Sequence, residues 1–172
     1  MNATNSRRPR ALLLDDDPTV LRLLGTRLEA LGFDVRAALD AESGLELLTD
    51  ELLDLDVLVA DADLPGRDGA SLVHLVRHAG GERDLAIVVL AGAPSSGLRS
   101  QLFALGADAV VDRALGHAAA ADVVAGLAGR KAAAARTWRD GAVPWAVRGA
   151  LIAVRSARAA LAPPRALAGA PA

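Results

Sequence analysis

Apolar residues follow two alternating patterns along this chain. Short runs with the length of β-strands occur five times, at residues 10–14, 33–38, 56–60, 85–91 and 109–111. Between and after these runs, apolar residues recur every three or four positions, as in helices with one buried face. These helical segments span about residues 18–31, 41–52, 70–78, 98–105 and 117–135. Five strands alternating with five helices predict an α/β fold, a doubly wound five-stranded parallel sheet with helices on both faces.

The first helix has the clearest predicted boundaries. Asp17 is a suitable N-cap residue, and Pro18 suits the first helical position. The apolar positions that repeat at helical spacing are Val20, Leu21, Leu24, Leu28 and Leu31. Gly32 then predicts the end of the helix. Asp40 is predicted to cap the second helix in the same way.

Three carboxylates follow predicted strands. Asp15 and Asp16 come directly after the first strand, and Asp61 closes the apolar run of the third strand. In open parallel sheets, functional sites form at the carboxyl ends of the strands, where the strand order reverses. We therefore expect the side chains of Asp15, Asp16 and Asp61 to converge in one crevice.

Converging carboxylates repel one another and remain ionised at neutral pH when a cation lies among them. Mg²⁺ suits oxygen ligands and commonly binds one or two carboxylates together with a phosphate. A carboxylate can also accept a phosphoryl group as an acyl phosphate. Asp61, which stands apart from the pair on another strand, is the natural nucleophile. The pattern indicates a metal site for phosphoryl chemistry.

Composition and charge narrow the function classes. The chain has 172 residues, no Cys, and only two Trp, two Phe and no Tyr, which excludes thiol chemistry and argues against stacking on nucleic-acid bases. The apolar run 11–14 is too short for an export signal, and arginines interrupt the apolar stretch 145–161, so no membrane span is predicted. We expect a soluble, cytoplasmic protein.

The charge is distributed unevenly. Residues 1–129 contain 11 Arg against 20 Asp plus Glu, whereas residues 130–172 contain 8 Lys plus Arg against Asp140 alone. The sequence divides into a flexible N-terminus (1–9), one domain (10–129) and a basic C-terminal extension (130–172). The extension is long enough for one helix, about 144–161, and too short for a helix-turn-helix domain. It is predicted either to be partly disordered or to act as a basic arm toward nucleic acid, an anionic membrane or the acidic domain.

Two other motifs have alternative interpretations. Asp61 and Asp63 form a DxD pair, as in phosphohydrolases of the haloacid dehalogenase type, but those enzymes carry the pair on their first strand. His74 and His78 lie four residues apart on a predicted helix, a spacing that can bind metal. No third ligand is suitably placed, so a solvated helix face is the preferred interpretation.

The motifs together resemble the receiver domain of response regulators in two-component signalling. "LLLDDDP" is similar to its acidic pair, "VLVADADLPGRDG" to its phosphoacceptor segment, and "LGADAVVDR" to the segment before its last helix. The resemblance implies a flavodoxin-like fold, with Asp61 as phosphoacceptor and Mg²⁺ bound by Asp15, Asp16, Asp61 and the backbone carbonyl of Asp63.

Two positions depart from the family pattern. Ala91 stands where receivers have the Thr or Ser of their switch, although Ser95 and Ser96 follow closely. Arg113 stands where they have a Lys, and its planar guanidinium differs from a compact ammonium. Val110 or Val111 occupies the position of the family's aromatic switch residue.

The resemblance implies a signalling protein rather than an enzyme. Its partners would be a sensor histidine kinase or phosphotransfer protein and an unidentified output protein. Output would pass through the face formed by the fourth helix, fifth strand and fifth helix, where a homodimer would also form. The alternatives are a phosphorylation-independent adaptor with a receiver fold and, more distantly, a DxD phosphohydrolase.

Overall fold

The structure is a computed structural model that describes residues 7–51, 54–66, 68–80 and 85–135. Five strands form one parallel sheet in the order β2-β1-β3-β4-β5. The strands are β1 (Arg10–Leu14), β2 (Asp34–Ala38), β3 (Val57–Asp61), β4 (Ala86–Ala91) and β5 (Ala109–Asp112). The helices are α1 (Pro18–Ala30), α2 (Ala41–Glu51), α3 (Gly69–Gly80), α4 (Ser96–Ala104) and α5 (Gly116–Ala135). A 3₁₀ turn, Arg113–Leu115, precedes α5. The predicted doubly wound α/β fold is confirmed.

The core consists of two apolar layers, one on each face of the sheet. Successive strand residues point to opposite faces, so Leu12 and Leu14 contribute to one layer whereas Leu13 contributes to the other. The first layer packs under α2, α3 and α4, and the second packs under α1 and α5. Strands β3 and β4 are buried along their whole length, as expected for parallel strands covered on both faces.

The strand order places the site. The chain runs from β1 to one edge at β2 and then returns to the other side of β1 to form β3, so the order reverses between β1 and β3. Helix α1 begins where predicted, because the Asp17 side chain accepts a hydrogen bond of 2.7 Å from the Thr19 N–H. The turn between β1 and α1 is therefore short, and it holds Asp15 and Asp16 beside the end of β3.

Some boundaries and burial assignments differ from those predicted. Asp61 is the last residue of β3 rather than the residue after it. Helix α4 begins at Ser96, two residues early, because the Ser95 hydroxyl caps it by accepting from the Leu98 N–H at 3.1 Å. Leu31, predicted as a core position of α1, is 43% exposed, since the helix ends before it and Phe33 is buried instead.

The predicted C-terminal helix 144–161 and the rest of the extension beyond residue 135 lie outside the described residues. So do residues 1–6 of the predicted flexible N-terminus. No helix in the part of the chain that the structure describes is long and apolar enough to cross a membrane.

Candidate functional site

Three carboxylates meet at the point where the strand order reverses. Asp15 and Asp16 follow β1, and Asp61 ends the neighbouring strand β3. One oxygen from each side chain can be chosen so that all three lie within 4.8 Å of one another. Among the His and acidic side chains of the described residues, these three carboxylates form a group that is placed to bind one metal ion together. The convergence follows from the parallel topology, because strand ends on one edge of the sheet are neighbours.

The three carboxylates differ in burial. Asp61 is 3% exposed and Asp15 is 1% exposed, whereas Asp16 faces solvent. The Oδ1 atom of Asp61 is buried and has no hydrogen-bond partner among the described residues. An ionised oxygen without a partner is costly in a protein interior, where water does not solvate it. The three-carboxylate cluster therefore includes a side chain with a buried acceptor that has no partner among the described residues.

Arg113 enters the cluster from the turn after β5. Its Nη2 atom lies 2.8 Å from Oδ2 of Asp15 and 2.5 Å from Oδ2 of Asp61. The other oxygen of Asp15 accepts a 2.9 Å hydrogen bond from the backbone N–H of Asp17. One guanidinium nitrogen thus joins the ends of three strands, β1, β3 and β5.

The electrostatics of the cluster follow from burial and mutual charge. Burial raises the pKa of Asp15, and the negative charges of Asp61 and Asp16 add to the increase, although the Asp17 N–H and the Arg113 charge oppose it. Burial alone would lower the pKa of Arg113, but its bond to Asp61 and the charge of Asp15 raise it above its ordinary value. Arg113 therefore stays protonated and serves as the local counter-ion.

The residues present fit a small divalent cation. Mg²⁺ takes oxygen ligands at about 2.0–2.1 Å and keeps several waters, so two or three carboxylates at one solvent-open rim are sufficient. Asp61 supplies a buried oxygen with a free lone pair, and exposed Asp16 leaves the site open to water. Asp63 lies in the exposed turn after β3, two residues beyond Asp61. Its role as a backbone ligand remains a prediction.

The position predicted to correspond to the family's hydroxyl switch is apolar and enclosed. Ala91 ends β4, is 1% exposed, and pairs in register with Asp112 of β5. Ser95 does not replace the missing hydroxyl in this structure, because its Oγ caps α4. The side chain of Ala91 therefore offers the cluster no hydrogen-bonding atom.

Asp112 is a site neighbour that the sequence reasoning missed. Its Oδ1 accepts from the Ala114 N–H at 2.9 Å and from the Ala93 N–H at 3.4 Å. Ala93 adopts φ +44°, a left-handed conformation that is uncommon for a residue other than glycine. Asp112 thus ties the loop after β4 to the turn that carries Arg113. An Asp directly before a turn is a capping signal that could have indicated this role.

Gly69 lies behind Asp61 and is required by close backbone packing. A Cβ at this position would lie 2.7 Å from the Asp61 carbonyl oxygen and 2.8 Å from the Ala62 Cα. The Gly69 N–H donates a 2.8 Å hydrogen bond to the Ala62 carbonyl. The start of α3 therefore packs directly on the end of β3 and fixes the backbone of Asp61.

The histidine pair lies away from this cluster on an exposed helix face. The rings of His74 and His78 are 4.0 Å apart, and Nδ1 of His78 lies 3.0 Å from the His74 carbonyl oxygen. Both side chains face solvent. No acidic or histidine side chain among the described residues completes a metal site with them. This arrangement agrees with a solvated helix face.

Comparison with known proteins assigns the chain to a family. The family model described as "Response regulator receiver domain" matches residues 11–124. The two-component response regulator ARR10 of Arabidopsis thaliana is 38% identical over 81 residues, which are 47% of this chain and 14% of ARR10. The DNA-binding dual master transcriptional regulator RpaA of Synechocystis is 32% identical over 100 residues, 58% of this chain and 41% of RpaA. The chain thus spans less than half the length of these two relatives.

Solved structures agree on the fold. A response regulator receiver domain protein from Clostridium thermocellum superimposes with a TM-score of 0.65 at 20% identity, covering 72% of this chain and 96% of that one. At this identity the likeness shows the fold alone. The family match over residues 11–124 goes further, because it also spans all three carboxylates and Arg113. The chain therefore belongs to the response regulator receiver domain family of two-component systems.

Proposed function

We propose that this protein is a phosphorelay receiver in which Asp61 accepts a phosphoryl group from a histidine kinase or phosphotransfer protein. Mg²⁺ would be held by Asp15, Asp16, Asp61 and the backbone carbonyl of Asp63. The observation that carries the proposal is the buried Oδ1 of Asp61, which has no hydrogen-bond partner among the described residues and lies within a three-carboxylate cluster.

The proposed step is a simple exchange of bonds. An oxygen of Asp61 attacks the phosphorus of a phosphohistidine, so a P–O bond forms and the P–N bond breaks. The electron pair of the broken bond returns to the histidine nitrogen, which takes up a proton from solvent. Bound Mg²⁺ would neutralise the charge on the phosphoryl oxygens. The product on this chain is an acyl phosphate at Asp61.

The proposal is supported by what the chain shares with its relatives. ARR10 is described as a two-component response regulator, and its matched segment is similar to nearly half of this chain. Here the acidic pair, the strand that ends in Asp61 and the basic residue after β5 all reach one site. A receiver of this kind would work in the cytoplasm as a signalling protein rather than as an enzyme.

Output would occur by protein contact through the face formed by α4, β5 and α5, which would also serve for a homodimer. Apolar side chains on or beside these elements are exposed: Phe103 of α4 is 49% exposed, Val123 of α5 is 37% exposed, and Leu115 in the turn before α5 is 67% exposed. A partner docked on this face would remove these apolar side chains from water.

One observation favours a second candidate, a phosphorylation-independent adaptor. Ala91 has no hydroxyl to bond a phosphoryl group, and a hydrogen bond to a charged group is worth about 1.5–3 kcal/mol. Without that bond, phosphorylation would have less effect on the loop after β4. The DxD phosphohydrolase is the more distant alternative, and it would require Asp63 as general acid and base.

The candidates are distinguished by incubating the full chain with Mg²⁺ and acetyl phosphate and measuring intact mass. We expect a gain of one phosphoryl group that is absent in Asp61→Asn and retained in Asp63→Asn. No gain in the wild-type chain, together with unshifted amide signals around Asp61 and Ala91 on adding Mg²⁺ and beryllofluoride, would contradict the receiver proposal and favour the adaptor. Turnover of a generic phosphatase substrate that is lost in Asp63→Asn would favour the hydrolase.

A further inference from the structure

The guanidinium of Arg113 occupies oxygens that a metal at this site would need. Its Nη2 contacts Oδ2 of Asp15 at 2.8 Å and Oδ2 of Asp61 at 2.5 Å. The same nitrogen is within hydrogen-bonding distance of both carboxylates, as a bound cation would be. The two acidic residues come from different strands and meet at this one nitrogen.

Asp15 and Asp61 differ in how many of their carboxylate oxygens already have a partner. Oδ1 of Asp15 accepts from the Asp17 N–H and Oδ2 accepts from Arg113, so both oxygens of Asp15 are engaged. Asp61 keeps Oδ1 without a partner among the described residues. At Asp61, Oδ1 is therefore the oxygen that a metal would take without competing with Arg113, whereas at Asp15 the metal must share or take an oxygen that already has a partner.

Sharing is disfavoured by charge. A guanidinium and a divalent cation that bind the same carboxylate oxygen repel each other at a distance of a few ångströms, in a partly buried site where screening is weak. The side chain of Arg113 is 30% exposed, whereas those of Asp15 and Asp61 are 2% and 5% exposed. Arg113 is thus the member of the group with access to solvent, and it can leave while the carboxylates stay.

We propose that Arg113 is an internal cation that competes with Mg²⁺ for Asp15, so that metal binding and release of Asp15 by Arg113 are one coupled event. Arg113 is a positioning residue that sets the affinity and occupancy of the metal site. In the metal-free chain it holds β1, β3 and β5 together at the site. The inference rests on the proposed metal site, but it does not require that Asp61 be phosphorylated.

The first test compares Mg²⁺ affinity in the full chain and in Arg113→Gln by calorimetric titration. We expect Arg113→Gln to bind Mg²⁺ at least about tenfold more tightly, a difference of about 1.4 kcal/mol. The matched control is Arg99→Gln, which removes the same charge from an arginine that donates to the Val110 carbonyl at 2.8 Å. Arg99→Gln should bind Mg²⁺ as the wild-type chain does.

A thermal measurement on the same proteins separates competition from a general charge effect. Without metal, Arg113→Gln leaves two buried carboxylates without their counter-ion, so its unfolding temperature should fall below that of the wild type. Saturating Mg²⁺ should raise the unfolding temperature of Arg113→Gln by more than it raises that of Arg99→Gln. Equal Mg²⁺ affinities in wild type and Arg113→Gln, or no binding in either, would overturn the inference.

A third measurement needs no variant and covers the case in which Arg113→Gln does not fold. The side-chain Nε–H signal of Arg113 is followed by NMR while Mg²⁺ is added to the wild-type chain. We expect this signal to shift in step with metal occupancy and the Nε–H of Arg99 to stay in place. An Arg113 signal that does not move at saturating Mg²⁺ would overturn the inference.

These results are independent of the test of the proposed function. A chain that binds Mg²⁺ in competition with Arg113 but gains no phosphoryl group would contradict the phosphorelay proposal and support the competition. A chain that is phosphorylated on Asp61 while Arg113→Gln leaves the Mg²⁺ affinity unchanged would do the reverse.

Discussion

Replacement of Gly69 by alanine tests how the fold holds Asp61 in place. The new Cβ would lie 2.7 Å from the Asp61 carbonyl oxygen and 2.8 Å from the Ala62 Cα, closer than such atoms approach in real structures. Both neighbours are backbone atoms at the end of β3, so neither can rotate away as a side chain would. The start of α3 or the end of β3 must therefore move, and the backbone of Asp61 moves with it.

The sign of the effect comes from two opposing contributions. Forcing an extra carbon into a packed site costs typically about 1–3 kcal/mol. Replacing glycine by alanine in a helix interior stabilises the folded chain by roughly 0.5–1 kcal/mol. Gly69 is the first residue of α3, so the stabilisation there is smaller. We expect Gly69→Ala to lower the free energy of unfolding by about 1–2 kcal/mol.

The matched control is Gly129→Ala in α5. Apart from the adjacent backbone of its own helix, no atom of the described residues lies within 4 Å of a Cβ built at Gly129, and the residue is exposed. This variant should therefore gain about 0.5–1 kcal/mol from helix propensity alone. Urea unfolding followed by circular dichroism measures both changes. We also expect weaker Mg²⁺ binding in Gly69→Ala and unchanged binding in Gly129→Ala. A Gly69→Ala chain as stable as the wild type, with full Mg²⁺ affinity, would refute the reasoning.

Two further predictions concern polar side chains outside the acidic cluster. Asp68 caps α3 through its bonds to the N–H (2.7 Å) and hydroxyl (2.8 Å) of Ser71, and the backbone bond is the main reason that its pKa is lowered. Asp68→Ala should lower the free energy of unfolding by about 1 kcal/mol at pH 7. Because the pKa is lower in the folded chain, this contribution is complete above the ordinary value of 3.8 and is lost as the pH falls through the folded value. Arg77 donates to the Leu85 and Gly106 carbonyls at 2.9 and 2.8 Å and to Asp108 at 2.5 Å, so Arg77→Ala should cost about 2–4 kcal/mol in urea unfolding.

Each of these predictions has a control. Asp68→Asn keeps an oxygen that accepts the Ser71 N–H but does not titrate, so it should lack the acid-dependent loss. The difference in free energy of unfolding between wild type and Asp68→Ala should be smaller at pH 2.5, about one pH unit below the ordinary pKa of Asp, than at pH 7. An equal difference at the two pH values would contradict the capping account. If Arg77→Ala lowers the free energy of unfolding by less than about 0.5 kcal/mol, water replaces the hydrogen bonds to Leu85, Gly106 and Asp108 at little cost, and the expected stabilisation by Arg77 is contradicted.

The parts of the fold that follow from local patterns could be predicted from the sequence. The Asp17-Pro18 start of α1 and the continuous apolar runs of β3 and β4 depend on neighbouring residues only, and the structure agrees with them. The start of α4 was predicted two residues late. Ser95 lies in a Ser- and Gly-containing segment, where a cap and an ordinary loop residue have the same composition.

The composition of the acidic cluster was also within reach of sequence reasoning, because the topology of parallel sheets brings strand ends together. The connections within the cluster were not. The contact of Arg113 with Asp15 joins residues 98 positions apart, and it depends on the direction in which the turn after β5 points the side chain. The unused Oδ1 of Asp61 is a property of packing and not of residue order.

The same limit applies to the interaction between α3 and the segment before β5. Arg77 and Asp108 are 31 residues apart, and the motif that contains Asp108 gives no sign of its partner on α3. Asp108 also accepts from the Ile87 N–H at 2.8 Å, so one carboxylate connects α3, β4 and the segment before β5. No periodicity in the sequence encodes such a contact, since it arises only when three separate elements pack.

The central claim is that Asp61 itself carries the phosphoryl group, and mapping the modified residue tests it most directly. The full chain is phosphorylated with acetyl phosphate and Mg²⁺, treated with borohydride to reduce the acyl phosphate to an alcohol, digested and sequenced by mass spectrometry. The account predicts homoserine at position 61, with Asp15, Asp16 and Asp63 unchanged. Homoserine at one of those three positions, or at none, would contradict it.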